Sequence, residues 1–272
     1  MDQQQLSIAG NDIAFIASEG TGRAVLLVHG NSSSARVWQP LLTGSFGQRF
    51  RCLALDLPGH GRSAPARHPD DYSLPGYAAV LAEFARKTGA EDAVIVGWSL
   101  GGHIALEAAA EMPEAAGFVV FGTPPVGTAA DFGKAFLPNP AVNVGFTADV
   151  DTKAAESYAG SFLAPGSVLP TDELVADILA TDGTARTSLF ATLGSGGFAD
   201  EVEIVAQLTR PIAVLHGEGE QLVSLDYLRG LAMPTLWRGA VQLIPGVGHA
   251  PQVEAPENLA DILTQFITDL CG

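Results

Sequence analysis

One pentapeptide constrains the fold of this chain more than any other stretch: Gly97-Trp98-Ser99-Leu100-Gly101. An apolar, β-branched run ends at Gly97, and an alanine-rich helical pattern begins after Gly101. Gly-x-Ser-x-Gly between a strand and a helix predicts a sharp turn that leaves the serine hydroxyl free at the end of the strand. The positions two before and two after such a serine crowd neighbouring backbone, which favours glycine there. Ser99 is therefore the candidate nucleophile.

Short apolar runs alternate with helical patterns along most of the chain, which predicts a sheet covered by helices. Eight runs have the length of strands: residues 6–8, 13–16, 24–28, 51–55, 93–96, 118–121, 212–215 and 241–244. The first two flank the turn Gly10-Asn11-Asp12 and predict an antiparallel hairpin. Four of the six later runs are apolar throughout, as is typical of parallel strands buried on both faces. We predict an α/β fold with a mostly parallel, eight-stranded sheet and helices on both faces.

The alternation stops between two of the predicted strands, over residues 124–208. This segment begins with loops rich in proline and glycine and continues with helical patterns at 152–159, 171–180 and 184–193. We interpret it as a helical cap, inserted into an α/β core formed by residues 1–123 and 209–272.

Composition and charge exclude several classes of partner. The 272 residues carry 14 basic and 30 acidic side chains, a formal net charge of −16, which argues against nucleic acid and anionic membranes and favours a neutral small-molecule substrate. No apolar run approaches the roughly 18 residues of a membrane span. The start Met1-Asp2-Gln3-Gln4-Gln5 lacks the features of a secretory signal, so a cytoplasmic protein is expected. Cys52 and Cys271 lie far apart, and we expect no disulfide. The sequence does not predict an oligomeric state.

The candidate base lies in a loop after the last predicted strand. A serine hydroxyl becomes a good nucleophile only when a base takes its proton and a third group orients that base. His249, in Pro245-Gly246-Val247-Gly248-His249-Ala250-Pro251, fits the chain order serine, acid, histidine that accompanies this kind of turn. Like Ser99, it follows the carboxyl end of a strand, where ligands bind in open α/β sheets.

The remaining histidines receive no chemical role at this stage. His216 ends a strand and is expected to pack locally, and His103 lies on the helix behind the serine. His60 is expected to hold together the rigid turn Asp56–Ser63, and His68 lies in a polar loop that predicts exposure.

Three carboxylates are candidates for the acid that orients His249. Glu220, three residues past Gly217, is preferred because a side chain there can turn toward the histidine loop. Glu218 is the nearer alternative and Asp226 the farther one. Aspartate is the usual residue in this position, and glutamate adds one methylene without changing the task.

Stabilising a negatively charged oxygen in the transition state needs N–H donors. The backbone N–H groups of Leu100 and Asn31 are the candidates, and the Asn31 side chain is also placed to reach a substrate. The sequence contains no His-x-His, no His-Glu-x-x-His and no paired cysteines of metal-site spacing, and its glycines lack the dinucleotide-binding spacing. We therefore expect neither a metal nor another cofactor.

Four motifs resemble those of the α/β-hydrolase family: His29-Gly30-Asn31, Asp56-Leu57-Pro58-Gly59-His60-Gly61, Gly97-Trp98-Ser99-Leu100-Gly101-Gly102-His103 and Gly248-His249-Ala250-Pro251. More narrowly, further stretches resemble the metal-independent N-acyl-homoserine lactone lactonases of this family, which degrade quorum-sensing signals. These stretches are His29-Gly30-Asn31-Ser32-Ser33-Ser34, the Gly97 to His103 motif, Gly122-Thr123-Pro124-Pro125-Val126 and Glu156-Ser157-Tyr158-Ala159. Glutamate as the orienting acid also fits that group.

The resemblance implies a cofactor-free serine hydrolase that opens the lactone ring through an acyl-enzyme. It implies Ser99 as nucleophile, His249 as base, Glu220 as orienting acid, and Asn31 with Leu100 at the oxyanion. By the same analogy Tyr158 reaches the substrate. An apolar pocket would hold the acyl chain, with this expected lining: Trp98, Phe132, Phe136, Phe146 and Phe162. The rival interpretations are a general carboxylesterase of the same fold and a non-catalytic ligand receptor built on it.

Overall fold

The computed structural model describes residues 3–8 and 10–270 and contains one eight-stranded sheet. The strands are β1 (Gln3–Ile8), β2 (Asn11–Ala17), β3 (Ala24–Val28), β4 (Arg51–Leu55), β5 (Val94–Trp98), β6 (Gly117–Phe121), β7 (Ile212–Gly217) and β8 (Gln242–Ile244). Their spatial order is β1-β2-β4-β3-β5-β6-β7-β8. Strand β2 pairs antiparallel with β1 and β4, and all other neighbours are parallel. The predicted hairpin and fold class are confirmed.

The central strands are buried along their whole length, as their apolar sequences predict. Every residue of β3, β5 and β6 is buried, so these strands have helices on both sides. Their carboxyl ends lie at one edge of the sheet, because β3, β5, β6, β7 and β8 are mutually parallel. The loops that carry the candidate site residues leave from this edge.

The helices fill the connections between the strands. They are α1 (Gln39–Thr43), α2 (Ser45–Arg49), α3 (Leu74–Thr88), α4 (Leu100–Glu107), α5 (Phe132–Ala135), α6 (Thr152–Ser161), α7 (Asp172–Ala180), α8 (Gly183–Gly194), α9 (Glu201–Gln207), α10 (Leu225–Gly230), α11 (Pro251–Glu254) and α12 (Pro256–Asp269). Helix α12 packs against α1 and α2, whereas α3 packs against α4. These two groups cover the sheet.

Local sequence signals account for the bounds of the longest core helix. Helix α3 begins where the Ser73 hydroxyl accepts the N–H of Gly76, a typical N-cap. It ends at Gly89, whose φ of +59° belongs to the left-handed region in which glycine commonly terminates helices.

Several short helices were not predicted from the sequence. The helix after Ser99 ends at Glu107 and is followed by a 3₁₀ turn at Ala108–Ala110. Helix α11 is separate from α12, since Pro256 cannot continue a helix begun at Pro251. Helix α9 was missed because its short sequence carries little periodicity.

Some sequence expectations fall outside the described residues. Met1 and Asp2, on which the absence of a secretory signal was partly argued, are among them. So is Cys271, whereas Cys52 is a buried free thiol. Within residues 3–8 and 10–270, no helix combines the length and apolar character needed to cross a bilayer.

The segment between β6 and β7 contains α5 to α9 and no strand among its described residues. Buried Arg186 on α8 joins its parts: the guanidinium donates to the carbonyl oxygens of Thr147 (2.6 Å), Ala148 (2.8 Å) and Ile178 (3.0 Å). Asp177 on α7 ties the segment to the core by accepting from Arg36 at 2.6 Å.

We expect Arg186→Met to destabilise the protein by about 2–4 kcal/mol, because methionine fills the volume but leaves buried carbonyls without a donor. Urea unfolding measures the change. Exposed Arg229→Met is the matched control, expected to stay within about 0.5 kcal/mol of wild type. Equal midpoints for the two variants would contradict this role of Arg186.

Candidate active site

Ser99 occupies a strained turn between β5 and α4. Its φ of +54° and ψ of −120° lie in a region that non-glycine residues rarely adopt. The turn is held on both sides, since the Ser99 N–H donates to Phe121 O at 2.9 Å and the Thr123 hydroxyl donates to Ser99 O at 2.8 Å. This conformation directs the serine side chain away from the end of β5.

The flanking glycines are required by close backbone contacts. A Cβ atom on Gly97 would lie 2.4 Å from Gly101 O, and one on Gly101 would lie 2.2 Å from Val28 O. Neither backbone oxygen can move without breaking the sheet or the first turn of α4. The crowding expected from the motif spacing is therefore present at both positions.

His249 and Glu220 form a buried hydrogen-bonded pair. His249 Nδ1 lies 2.8 Å from Glu220 Oε2, and each side chain is 2% exposed. The Glu220 carboxylate can only accept, so Nδ1 carries the proton and the lone pair of a neutral ring lies on Nε2. That Nε2 atom has no hydrogen-bond partner among the described residues. His249 and Ser99 line the same cavity.

The environment of Glu220 favours its charged form. Burial by itself raises the pKa of the carboxyl, but the facing His249 and the 2.7 Å hydrogen bond from the Leu222 N–H outweigh burial. The pKa of Glu220 therefore lies below its ordinary value. Of the three acids considered from the sequence, Glu220 reaches His249, whereas Glu218 and Asp226 are exposed.

Packing holds the imidazole of His249 in place. Gly122, at a φ of +62°, lies against the ring, and a Cβ there would approach His249 Cε1 to 2.6 Å. The Phe162 ring stacks on it at 5.8 Å, and Trp98 Nε1 donates to His249 O at 2.8 Å. The inserted helices thus contribute directly to the position of the candidate base.

The two candidate oxyanion donors lie at the cavity, which both Asn31 and Leu100 line. No described residue accepts a hydrogen bond from either backbone N–H. The Asn31 side chain is engaged: Nδ2 donates to Gly145 O at 2.6 Å, and Oδ1 accepts from Ser32 at 3.1 Å. This side chain therefore joins the loop after β3 to the inserted segment.

The cavity has a volume of about 390 Å³ and is mainly apolar. Its aromatic lining comprises Phe132, Phe136, Phe146, Tyr158 and Phe190. Trp98 and Phe162, which were also expected to line it, are buried and are not among its lining residues; their rings lie 5.4 Å apart. Both side chains turn toward the His249 loop, so their contribution is to support the base.

The other histidines behave mostly as expected. His60 hydrogen-bonds Pro58 O at 3.0 Å, and burial lowers its pKa to about 3. His29 accepts the Leu57 N–H at 3.0 Å, and burial lowers its pKa to about 4. Both rings therefore stay neutral and hold the loops after β3 and β4. His216 is buried, and burial, countered by the Glu220 charge, lowers its pKa.

Two features of the site were missed by sequence reasoning. His103 lines the cavity and pairs with buried Glu201 of α9. Glu254 accepts the N–H groups of Gly248, next to the candidate base, and Ala164 of the inserted segment. Neither carboxylate lies in a recognisable motif, and each has at least one partner remote in sequence, Glu201 in His103 and Glu254 in Ala164.

With this fold and site in view, comparison with known proteins assigns the class. Residues 25–262 match the model of the alpha/beta hydrolase family, and the chain belongs to that family. The family resemblance and the hydrolase class predicted from the sequence are confirmed.

Individual relatives are hydrolases of several kinds. The chain is 30% identical to 2-(acetamidomethylene)succinate hydrolase of Mesorhizobium japonicum, over 93% of this chain and 90% of that protein. It is 32% identical to pimeloyl-[acyl-carrier protein] methyl ester esterase of Xanthomonas campestris pv. campestris, over 92% and 97%. The structure is similar to that of N-acyl homoserine lactonase AidH complexed with N-butanoyl homoserine: the TM-score is 0.94 and the identity 38%, over 99% of this chain and 97% of that one.

We expect the stabilising contribution of Glu220 to vanish in acid. A carboxyl whose pKa is lowered by folding stabilises the folded state above its unfolded pKa and loses that contribution as the pH falls through the folded value. Wild type should exceed Glu220→Gln by about 1–3 kcal/mol in unfolding free energy near neutral pH, and the gap should close between about pH 5 and pH 2.

Urea unfolding across this pH range makes the measurement. Glu218→Gln, two residues away and exposed, is the control and should change the unfolding free energy by less than about 0.5 kcal/mol. A gap between wild type and Glu220→Gln that stays constant down to acid pH would contradict the lowered pKa.

Proposed function

We propose that this chain is a cofactor-free serine hydrolase that opens the lactone ring of N-acyl-homoserine lactones. The observation that carries the proposal is the shared cavity: a serine on a strained turn and a buried His249–Glu220 pair meet one apolar space. The lactone is favoured over other esters by the 38% identity to N-acyl homoserine lactonase AidH over nearly the whole chain. Its physiological consequence would be quorum quenching, and the cytoplasmic location stays a prediction.

Ser99 is the nucleophile in this proposal. Its Oγ attacks the lactone carbonyl carbon while His249 Nε2 takes the hydroxyl proton, and the Asn31 and Leu100 N–H groups bind the oxyanion. The ring C–O bond then breaks, and the departing oxygen receives the proton from His249. Glu220 holds the imidazole in the required tautomer and stabilises its charged form.

Water completes the cycle. His249 deprotonates a water molecule that attacks the acyl-enzyme, and the proton returns to Ser99 Oγ as the ester bond breaks. The product is the open-chain N-acyl homoserine, one water heavier than the substrate. The amide bond stays intact, so no fatty acid is released.

The substrate class follows from the cavity. An apolar lining with few polar groups suits an uncharged head group with an alkyl chain. The Tyr158 hydroxyl and Asn31 Nδ2 lie together, since a Cβ on Gly145 would meet them at 2.6 Å and 3.0 Å. We propose that these two polar groups orient the head group. Residues 124–208 would act as a cap on the core of residues 1–123 and 209–272, and would thereby select chain length.

The second candidate is a general carboxylesterase with the same three residues. The 32% identity to a methyl ester esterase favours it, because the name of that protein describes cleavage of an open-chain methyl ester. The two candidates differ in substrate and share the chemistry.

Mass spectrometry of the products from a panel of acyl-homoserine lactones tests the function. We expect a mass gain of one water with wild type and a loss of at least about 10³-fold in kcat/KM with Ser99→Ala. The exposed Ser195→Ala serves as the control and should retain activity. Cleavage of a short aryl ester without any lactone turnover would select the esterase, and release of fatty acid would mean amide cleavage.

We expect Tyr158→Phe to lower kcat/KM for the lactone by about three- to tenfold, because the hydroxyl then no longer donates to the head group. Tyr227→Phe is the matched control: its hydroxyl donates to Pro125 O at 2.7 Å and does not line the cavity. Steady-state kinetics with one lactone decides. Equal kcat/KM for Tyr158→Phe and wild type would mean that Tyr158 serves packing alone.

A further inference from the structure

A second histidine–glutamate pair borders the same cavity and has no part in the proposed chemistry. His103 Nδ1 lies 2.8 Å from Glu201 Oε1 and 2.9 Å from Oε2. The Glu201 side chain is fully buried and also accepts the Val126 N–H at 2.9 Å. The His103 side chain is 12% exposed and lines the cavity.

Glu201 sets which nitrogen of His103 is available. A carboxylate only accepts hydrogen bonds, so Nδ1 must donate and its proton is fixed there. Nε2 is left without a hydrogen-bond partner among the described residues. Phe136 packs beside the His103 ring, with the ring centroids 6.4 Å apart, and Leu100 and Val126 line the same cavity. His103 is thus a polar side chain set among apolar ones, in a lining whose other polar side chains are Asn31, Ser99, Asn143, Tyr158 and His249.

The position of His103 relative to Ser99 places this group beside the acyl chain. His103 follows Ser99 by four residues on α4, which is about 6 Å along a helix axis. Both residues line the cavity, so an acyl chain that leaves the carbonyl at Ser99 along α4 meets His103 close to the amide.

We propose that His103 is a specificity-determining residue that binds a hydroxyl group on the acyl chain, close to the amide, as in a 3-hydroxyacyl lactone. A hydroxyl can donate to Nε2 of the neutral ring and accept from Nε2–H of the protonated ring, whereas an oxo group can only accept. The hydroxyl is thus the one substituent that pairs with His103 in either state. This inference rests on the proposed function.

The experiment compares kcat/KM for three lactones of equal chain length: unsubstituted, 3-hydroxy and 3-oxo. Wild type should prefer the 3-hydroxy compound to both others. His103→Phe, which keeps an aromatic ring but has no hydrogen-bonding nitrogen, should lower the ratio of 3-hydroxy to unsubstituted by about two- to tenfold. His103→Gln, with both a donor and an acceptor, should restore part of that ratio.

Glu201→Gln provides a sharper readout. The amide oxygen of the introduced glutamine would keep the Val126 N–H at the Oε2 position, which places the NH₂ group at the Oε1 position, 2.8 Å from His103 Nδ1. Where the NH₂ group donates to Nδ1, the ring proton moves to Nε2. We expect the ratio of 3-oxo to 3-hydroxy to rise in this variant, because Nε2–H donates to an oxo group. A pair that only joined α4 to α9 would change stability without changing this ratio.

The exposed His68→Gln is the control and should leave all ratios at wild-type values. Melting temperatures establish that each variant is folded, and Glu201→Gln alone tests the inference if His103→Phe does not fold. If wild type hydrolyses the lactones and every folded variant shows the wild-type ratios of kcat/KM, the role of His103 is overturned and the proposed function still stands. No hydrolysis of any of the three lactones by wild type would overturn the proposed function, and this inference with it.

Discussion

The backbone of Ser99 is the constraint on which the rest of the site depends. A non-glycine residue at positive φ costs on the order of 1–3 kcal/mol, and it persists only where its surroundings leave no alternative. Here the surroundings are the buried β3, β5 and β6, whose ends hold the turn through Phe121 O and Thr123. Replacing either flanking glycine would force backbone apart within the sheet. The stability of the parallel sheet therefore maintains the serine at the cavity.

The position of the His249–Glu220 pair depends on other contacts. Its imidazole lies between Gly122 of the core and Phe162 of the inserted segment, and its proton position is set by Glu220. Burial disfavours the charged form of Glu220, yet the facing His249 and the hydrogen bonds that the carboxylate accepts outweigh this cost. Two unrelated parts of the chain must fold correctly before the base is aligned.

The features that could be predicted from the sequence are those that depend on neighbouring residues in the chain. Strand runs, the hairpin and the strained turn each carry a local signature, and the structure agrees with all of them. The choice of Glu220 over Glu218 and Asp226 rested on spacing alone, and only three-dimensional coordinates give its 2.8 Å approach to His249. Residues 124–208 were recognised as helical, but α9 is too short to show periodicity.

The direction of individual side chains could not be predicted. Trp98 and Phe162 looked like cavity lining because aromatic residues near a site commonly are, but both rings turn to the His249 loop. His103 looked like a helix residue behind the serine, since its partner Glu201 lies 98 residues further along the chain. Contacts at such separation leave no periodic trace in one sequence.

Glu254 has a consequence for engineering by segment exchange. The Glu254 carboxylate accepts the N–H groups of Gly248 and Ala164, and the Ala250 N–H donates to Phe162 O at 2.9 Å. These hydrogen bonds connect residues 248–254 to residues 162–164 of the inserted segment. The inserted segment contributes backbone groups, Ala164 N–H and Phe162 O, to these hydrogen bonds. Helices between β6 and β7 transplanted from a relative, in order to alter chain-length preference, therefore preserve them only where the grafted backbone returns to these positions. Grafts whose backbone departs there should misalign the imidazole even where the new pocket fits its ligand.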